Sequence, residues 1–208
     1  MGNRFPQPLS NLIQAFGQLP GIGPRSAERI ALEFLHWPLS TVQDFSNALV
    51  KNAEQIDVCG TCGCFSIDQE CGNCADSTES KDASIICIVE KPTDIFSLEK
   101  FKAFDGSFHA LGGKISPTSG VDPEDLLIEP LITRIEKQKP TEIIFGLASD
   151  LESEATIYYL TQQIKACENF HKGLRLTRLA SGMPAGSALE FTDGLTLQSA
   201  LDNRTVIE

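Results

Sequence analysis

Cys59, Cys62, Cys71 and Cys74 form two Cys-x2-Cys turns separated by eight residues. That spacing can set four thiolates at the corners of one tetrahedron, and Gly60, Gly63 and Gly72 ease the turns. The chemistry it predicts is zinc binding. A closed set of four ligands leaves no position for a substrate, so the predicted role is structural, with about one Zn2+ per chain. The metal would supply folding energy to a segment whose hydrophobic periodicity is too weak to bury a core of its own. Cys64 is an extra thiol able to compete for a position, although the paired turns favour the other four. Cys87 and Cys167 read as small buried apolar residues in a strand and a helix. Seven cysteines are an odd number, and residues 1–12 hold prolines and amides where an export signal would have a basic stretch followed by an apolar one. Both features predict an unexported protein in a reducing compartment, without a disulfide framework.

A second candidate site is Leu19-Pro20-Gly21-Ile22-Gly23-Pro24-Arg25-Ser26-Ala27, lying between two amphipathic stretches. Gly21 and Gly23 permit a tight hairpin with uncovered backbone N–H groups, and Pro24 suits the first turn of the next helix. A helix N-terminus of this kind receives phosphate through its free N–H groups and positive dipole end. Arg25 and Arg29, four residues apart, add charge on nearly the same face. Backbone binding of DNA without sequence preference is the chemistry implied. The alternative is a helical hairpin whose glycines serve only the turn. A bare Gly-x-Gly would favour that alternative, whereas Pro-Gly-Ile-Gly followed by Ala27 and two arginines favours a helix-hairpin-helix.

The third constellation is acidic. Glu90 ends a β-prone run, and a second such run leads into Ala148-Ser149-Asp150-Leu151-Glu152-Ser153-Glu154 before a helix. Carboxylates at the C-terminal ends of adjacent parallel strands sit in the crevice where such sheets place their sites, and they suit Mg2+. Acids at a helix start are also ordinary caps and dipole partners, which is the stronger reading for these residues taken alone.

These residues need elements to position them. Leu12, Ile13, Phe16 and Leu19 recur at helical spacing, Ala27, Ile30, Ala31, Phe34 and Leu35 resume it, and Val42, Phe45, Leu49 and Ala53 mark the apolar face of a third helix over residues 41–56. From residue 84 onward, short apolar runs at 85–89, 143–147 and 174–179 predict strands. Those runs are apolar on both faces, which suits a parallel sheet covered by helices. Helices are expected at 93–101, 125–137 and 154–167. The chain is therefore read as α/β. No repeat or long linker separates its parts.

Composition narrows the function. The 208 residues are 41% apolar and 22% charged, which excludes a disordered, collagen-like or coiled-coil chain. No window approaches the roughly 18 apolar residues of a membrane span. The net charge of −11 argues against a general polyanion-binding coat, because affinity for nucleic acid comes mainly from neutralised phosphates. Residues 1–58 carry four basic and five acidic side chains, whereas residues 75–208 carry 13 and 21. A DNA contact must therefore be local, and the near-neutral hairpin is where it can be.

The ordered set of motifs resembles the RecR family of bacterial recombination mediators. The likeness covers the Leu-Pro-Gly-Ile-Gly-Pro hairpin, the four cysteines and a strand ending in Ile88-Val89-Glu90. It continues through Phe108-His109-Ala110-Leu111-Gly112-Gly113-Lys114-Ile115-Ser116-Pro117 and Thr177-Arg178-Leu179-Ala180-Ser181-Gly182-Met183-Pro184, and spans residues 12–204. The resemblance implies a helix-hairpin-helix DNA-binding module at 1–57, a zinc finger at 58–80, a Toprim domain at 81–175 and a C-terminal oligomerisation segment at 176–208. It also implies a ring-shaped homo-oligomer, a ring of dimers, that grips DNA, and partnership with RecO and RecF in loading RecA at single-stranded gaps in the cytoplasm.

The departures fall mainly on the acidic site. Toprim enzymes carry an early Glu, matched by Glu90, and later Asp-x-Asp and Glu-Gly-Glu. Here the later element runs through Asp150, Glu152 and Glu154, with Ala148 at the first Asp and Ser153 at the glycine. A two-ion site for phosphoryl chemistry wants those carboxylates together, so the departure counts against Mg2+ and against an enzyme. Lys81 stands where the family commonly has Arg, and Ala188 where it usually has an acid. The competing reading is a Mg2+-dependent Toprim nuclease or topoisomerase-like enzyme, whose nucleophile would be Tyr158 or Tyr159. Both tyrosines fall in an expected helix, where core packing is the simpler role. A third reading is a zinc-bearing adaptor that touches only proteins. His36 and His171 read as surface residues, and His109 as part of the motif without an assigned role.

Overall fold

Proline placement sets the helix starts of the N-terminal half. α1 (Gln7–Gly17) follows Pro6, α2 (Pro24–Glu33) opens on Pro24, and α3 (Leu39–Gln55) follows Pro38 at φ −56°, each using a residue that needs no N–H donor there. α3 thus begins two residues before the expected start. The computed structural model describes residues 5–67, 71–75, 82–100, 104–167 and 173–206. It divides into two units, Met1–Ile56 and Asp57–Glu208.

In the first unit Ala27 and Ala31 are buried. A Cβ on Gly17 would stand 4.0 Å from that of Ala27, so small residues let the two helices approach closely. Phe34 gathers an aromatic core, with ring centroids 5.4 Å from Phe16, 4.4 Å from Trp37 and 5.3 Å from Phe45. Of the apolar face expected on α3, Phe45 and Leu49 are exposed, as are the neighbouring Leu39 and Val50.

The second unit opens with a ribbon of β1 (Ile56–Val58) and β2 (Phe65–Ile67), then the single turn α4 (Gly72–Ala75). Next come β3 (Asp82–Val89), α5 (Pro92–Lys100), β4 (Gly106–Ala110), α6 (Ile128–Gln138), β5 (Glu142–Gly146), α7 (Leu151–Ala166), β6 (Arg175–Arg178) and α8 (Gly194–Asp202). β3 to β6 form one parallel sheet in the order β4-β3-β5-β6, with Cys87 opposite both Phe108 and Ile144. Three of these strands match the expected runs. β4 was not expected: Gly-Ser-Phe-His-Ala is short and has no β-branched residue to mark it.

Side-chain alternation along β3 divides the core. Ile86 and Ile88 pack with Leu131, Ile135, Leu160 and Ile164 of α6 and α7. Cys87 and Val89 point the other way, into a cluster with Ile95, Phe108 and Ala110 that also holds Cys62, Cys64 and Cys71. Among the described residues the cysteine segment forms no core of its own. It joins the sheet's second core instead, and Cys64 contributes as a buried packing residue.

Several local expectations change. α6 starts at Ile128 after a separate turn, Pro123–Asp125, and α7 starts at Leu151 because Asp150 is its N-cap. Tyr158 is 69% exposed, so core packing fails for it, while Tyr159 packs partly against the core. Cys167 is the only partly buried C-cap of α7, its thiol turned to the Gln163 carbonyl at 3.3 Å. His36 is exposed. His109 is fully buried, and burial lowers its pKa to about 4, so the ring is neutral and Nε2–H donates to the Leu127 carbonyl at 2.8 Å. Lys81, Phe101 and His171 lie outside the described residues. Among the described residues no helix is long and apolar enough to cross a membrane.

Candidate metal centre, hairpin and acidic cluster

The fold closes the cysteine knuckle onto the end of β4. The N–H of Cys59 donates to Cys64, that of Gly63 to Cys59, and that of Ala110 to Cys62, each at 2.8 Å. Gly63 sits at φ +71°, and a Cβ there would meet the Ala110 carbonyl oxygen at 1.9 Å. Only glycine satisfies both the turn and the docking. The four expected sulfurs come together, with ligand atoms within 4.8 Å of one another.

A tetrahedral thiolate site with ~2.3 Å metal–sulfur bonds has sulfur–sulfur edges of about 3.8 Å. Cys62 and Cys71 are 3.4 Å apart and Cys59 and Cys74 are 3.9 Å apart. The residues fit a metal ion. Burial pushes the Cys71 thiol up to about 11, and the Cys62 hydrogen bond followed by burial raises Cys74. Thiolates in this pocket need a cation to compensate them.

The hairpin is built as its residue types imply. Gly21 adopts φ +78°, the N–H of Ile22 donates to Leu19 at 3.1 Å, and Gly23 caps α2 with extended backbone and, among the described residues, no side-chain capping hydrogen bond. Arg25 and Arg29 are both exposed on the helix that follows.

The acidic residues do not behave as one group. Glu90 lies just past β3, and Asp150 caps α7 by accepting from the Ser153 N–H at 2.8 Å. With Glu152 they converge on Lys114, whose Nζ is 3.6 Å from Glu90, 2.7 Å from Asp150 and 3.8 Å from Glu152. Glu154 points elsewhere and pairs with Arg178 at 2.8 Å. The Lys114 hydrogen bond, aided by the Ser153 N–H, lowers the Asp150 pKa to about 2, and the same bond raises Lys114. Mg2+ needs near-octahedral oxygen ligands at ~2.0–2.1 Å, and a cluster already centred on an ammonium does not fit it. Sequence reasoning missed Lys114. It stood in the motif over residues 108–117 without a site role, because the strand that carries it to the cluster, β4 beside β3, was not expected.

Fold and geometry together define a helix-hairpin-helix protein that carries a Toprim domain and a four-cysteine site able to hold a metal ion. The family model of the RecR helix-hairpin-helix matches residues 9–52, that of the Toprim domain 84–180 and that of the RecR C-terminal region 182–205. Over 200 residues the chain is 41% identical to the Recombination protein RecR of Desulforapulum autotrophicum, covering 96% of this chain and 97% of that one. It is 40% identical to that of Thermobifida fusca over the same shares, and 39% identical to that of a Synechococcus species over 98% of this chain and 91% of the relative. The chain belongs to the RecR family.

Proposed function

We propose that this protein is a non-catalytic, DNA-binding mediator of recombinational repair. It works in the cytoplasm as a ring-shaped homo-oligomer, with RecO and RecF, to help load RecA at single-stranded gaps. The observation that carries this reading is the glycine-capped N-terminus of α2 beside exposed Arg25 and Arg29, in a chain alike over nearly its whole length to proteins named for recombination. Gly21, Gly23, Arg25 and Arg29 are the DNA contacts in this proposal. The four cysteines hold a structural Zn2+, since four thiolates in a closed tetrahedron are a set that zinc favours.

Assembly has its own support. The exposed face of α3 and, in the C-terminal region, Phe191 at 84% and Leu195 at 85% exposure are apolar surfaces that a second copy would cover. Few cations per chain then suffice, because several hairpins act on one DNA molecule.

The test compares wild type with Arg25→Ala/Arg29→Ala on gapped and duplex DNA at two salt concentrations. Loss of two phosphate contacts per hairpin is expected to weaken binding and to lower the salt slope by about 2 for each hairpin engaged on the DNA. Equal affinity and slope in both proteins would remove the hairpin as the DNA contact.

A further inference from the structure

The loop that carries Lys114 is fastened at both ends to the elements that carry the carboxylates. At its start the N–H groups of Leu111 and Gly112 donate to Val89 and Glu90 at 3.0 and 2.9 Å. At its end the Ile115 N–H donates to the Thr156 hydroxyl at 3.0 Å, and that hydroxyl donates to the Glu152 carbonyl at 2.7 Å. The Ser116 hydroxyl also bonds the Glu152 carboxylate. Lys114 itself is only 17% exposed. Its ammonium is thus held over the carboxylates, whereas an ordinary surface lysine would spend most of its time in water.

We propose that Lys114 is a resident cation that takes the place of a divalent metal in the Toprim cleft and so excludes Mg2+ and Mn2+ from it. Three carboxylates attract a divalent ion strongly, but Lys114 among them and Lys91 at 3.5 Å from Glu90 leave a net of one negative charge. A metal entering the cluster would meet a like charge within about 4 Å, where repulsion is greatest and least screened. It would also have to break the Asp150 hydrogen bond. The Toprim cleft then carries its own cations and is closed to metal whether or not the hairpin contacts DNA.

The probe is Mn2+ alone, titrated into zinc-loaded, full-length protein at neutral pH, with free Mn2+ read by electron paramagnetic resonance. Wild type is expected to bind no Mn2+ below millimolar concentration. Lys114→Met is expected to bind at least tenfold more tightly, and Lys114→Met/Glu90→Gln to lose that gain. Lys114→Gln provides a second neutral side chain that keeps a polar tip. Sub-millimolar binding by wild type that Glu90→Gln abolishes overturns the proposal without any Lys114 variant. So does a folded Lys114→Met or Lys114→Gln protein that binds no better than wild type.

Discussion

Two four-residue ligand sets lie in the same unit of this protein, and they differ in where their compensating charge comes from. Cys59, Cys62, Cys71 and Cys74 face one another with sulfurs at tetrahedral spacing. Glu90, Asp150 and Glu152 also converge, but on Lys114, and the fourth acid, Glu154, leaves the group for Arg178. A count of ligand-type residues treats the two sets alike. The cysteines need a cation from outside, whereas the carboxylates already have one.

The sharpest way to break that contrast is to remove one member from each set. Cys62→Ser takes a ligand from a fully buried position in the core shared with Cys87 and Phe108. It is expected to release the metal and to cost about 3–5 kcal/mol, which for a unit of this size lowers Tm by ~10 °C or more. Glu90→Gln, on the partly exposed cluster, is expected to move Tm by no more than about 4 °C, because a partly exposed ion pair is worth ~1 kcal/mol or less. Calorimetry with metal analysis of both variants decides the point. Equal losses would mean that the acidic cluster is as structural as the cysteines.

The cysteine site was legible in the sequence because its ligands lie within 16 residues and their spacing follows from the knuckle turn itself. The hairpin was legible for the same reason, since Pro20, Gly21, Gly23 and Pro24 dictate local backbone. The acidic cluster was not, because its geometry is tertiary. Glu90, Lys114 and Asp150 come from three loops, and only the strand order β4-β3-β5 brings them together. With β4 unmarked in sequence, nothing placed Lys114 beside Glu90. The partly exposed Cys167, the exposed Tyr158 and the buried Arg134, whose guanidinium donates to the Phe108 carbonyl at 2.5 Å, were hidden in the same way. Helical spacing identifies a face, but it does not say what covers that face.

A smaller effect separates the two roles of Asp150. Its carboxyl is held down to about 2, first by Lys114 and then by the Ser153 N–H. A lowered pKa contributes stability above the unfolded value of about 3.8 and loses it as pH falls toward 2. Asp150→Asn keeps an N-cap, since Asn caps about as well as Asp, and removes only the charge. The variant is expected to unfold at slightly lower urea than wild type at pH 5–7, with the two midpoints converging between pH 4 and 2. A constant difference across that range would assign the effect to the cap instead of the Lys114 pair.

The smallest expected effect tests whether Glu154 belongs to the cluster at all. Glu154 and Arg178 are each 49% exposed at 2.8 Å separation, and an exposed pair of this kind contributes ~0.2–1 kcal/mol in a double-mutant cycle. Glu154→Ala and Arg178→Ala should therefore couple to each other by about 0.5 kcal/mol, while Glu154→Ala and Lys114→Met should be additive within ~0.3 kcal/mol. Urea midpoints for the singles and both doubles supply the cycles. Significant coupling between Glu154 and Lys114 would join all four acids into one electrostatic unit. The Toprim cleft would then hold four carboxylates around Lys114, and its charge would match the cysteine centre more closely than the geometry implies.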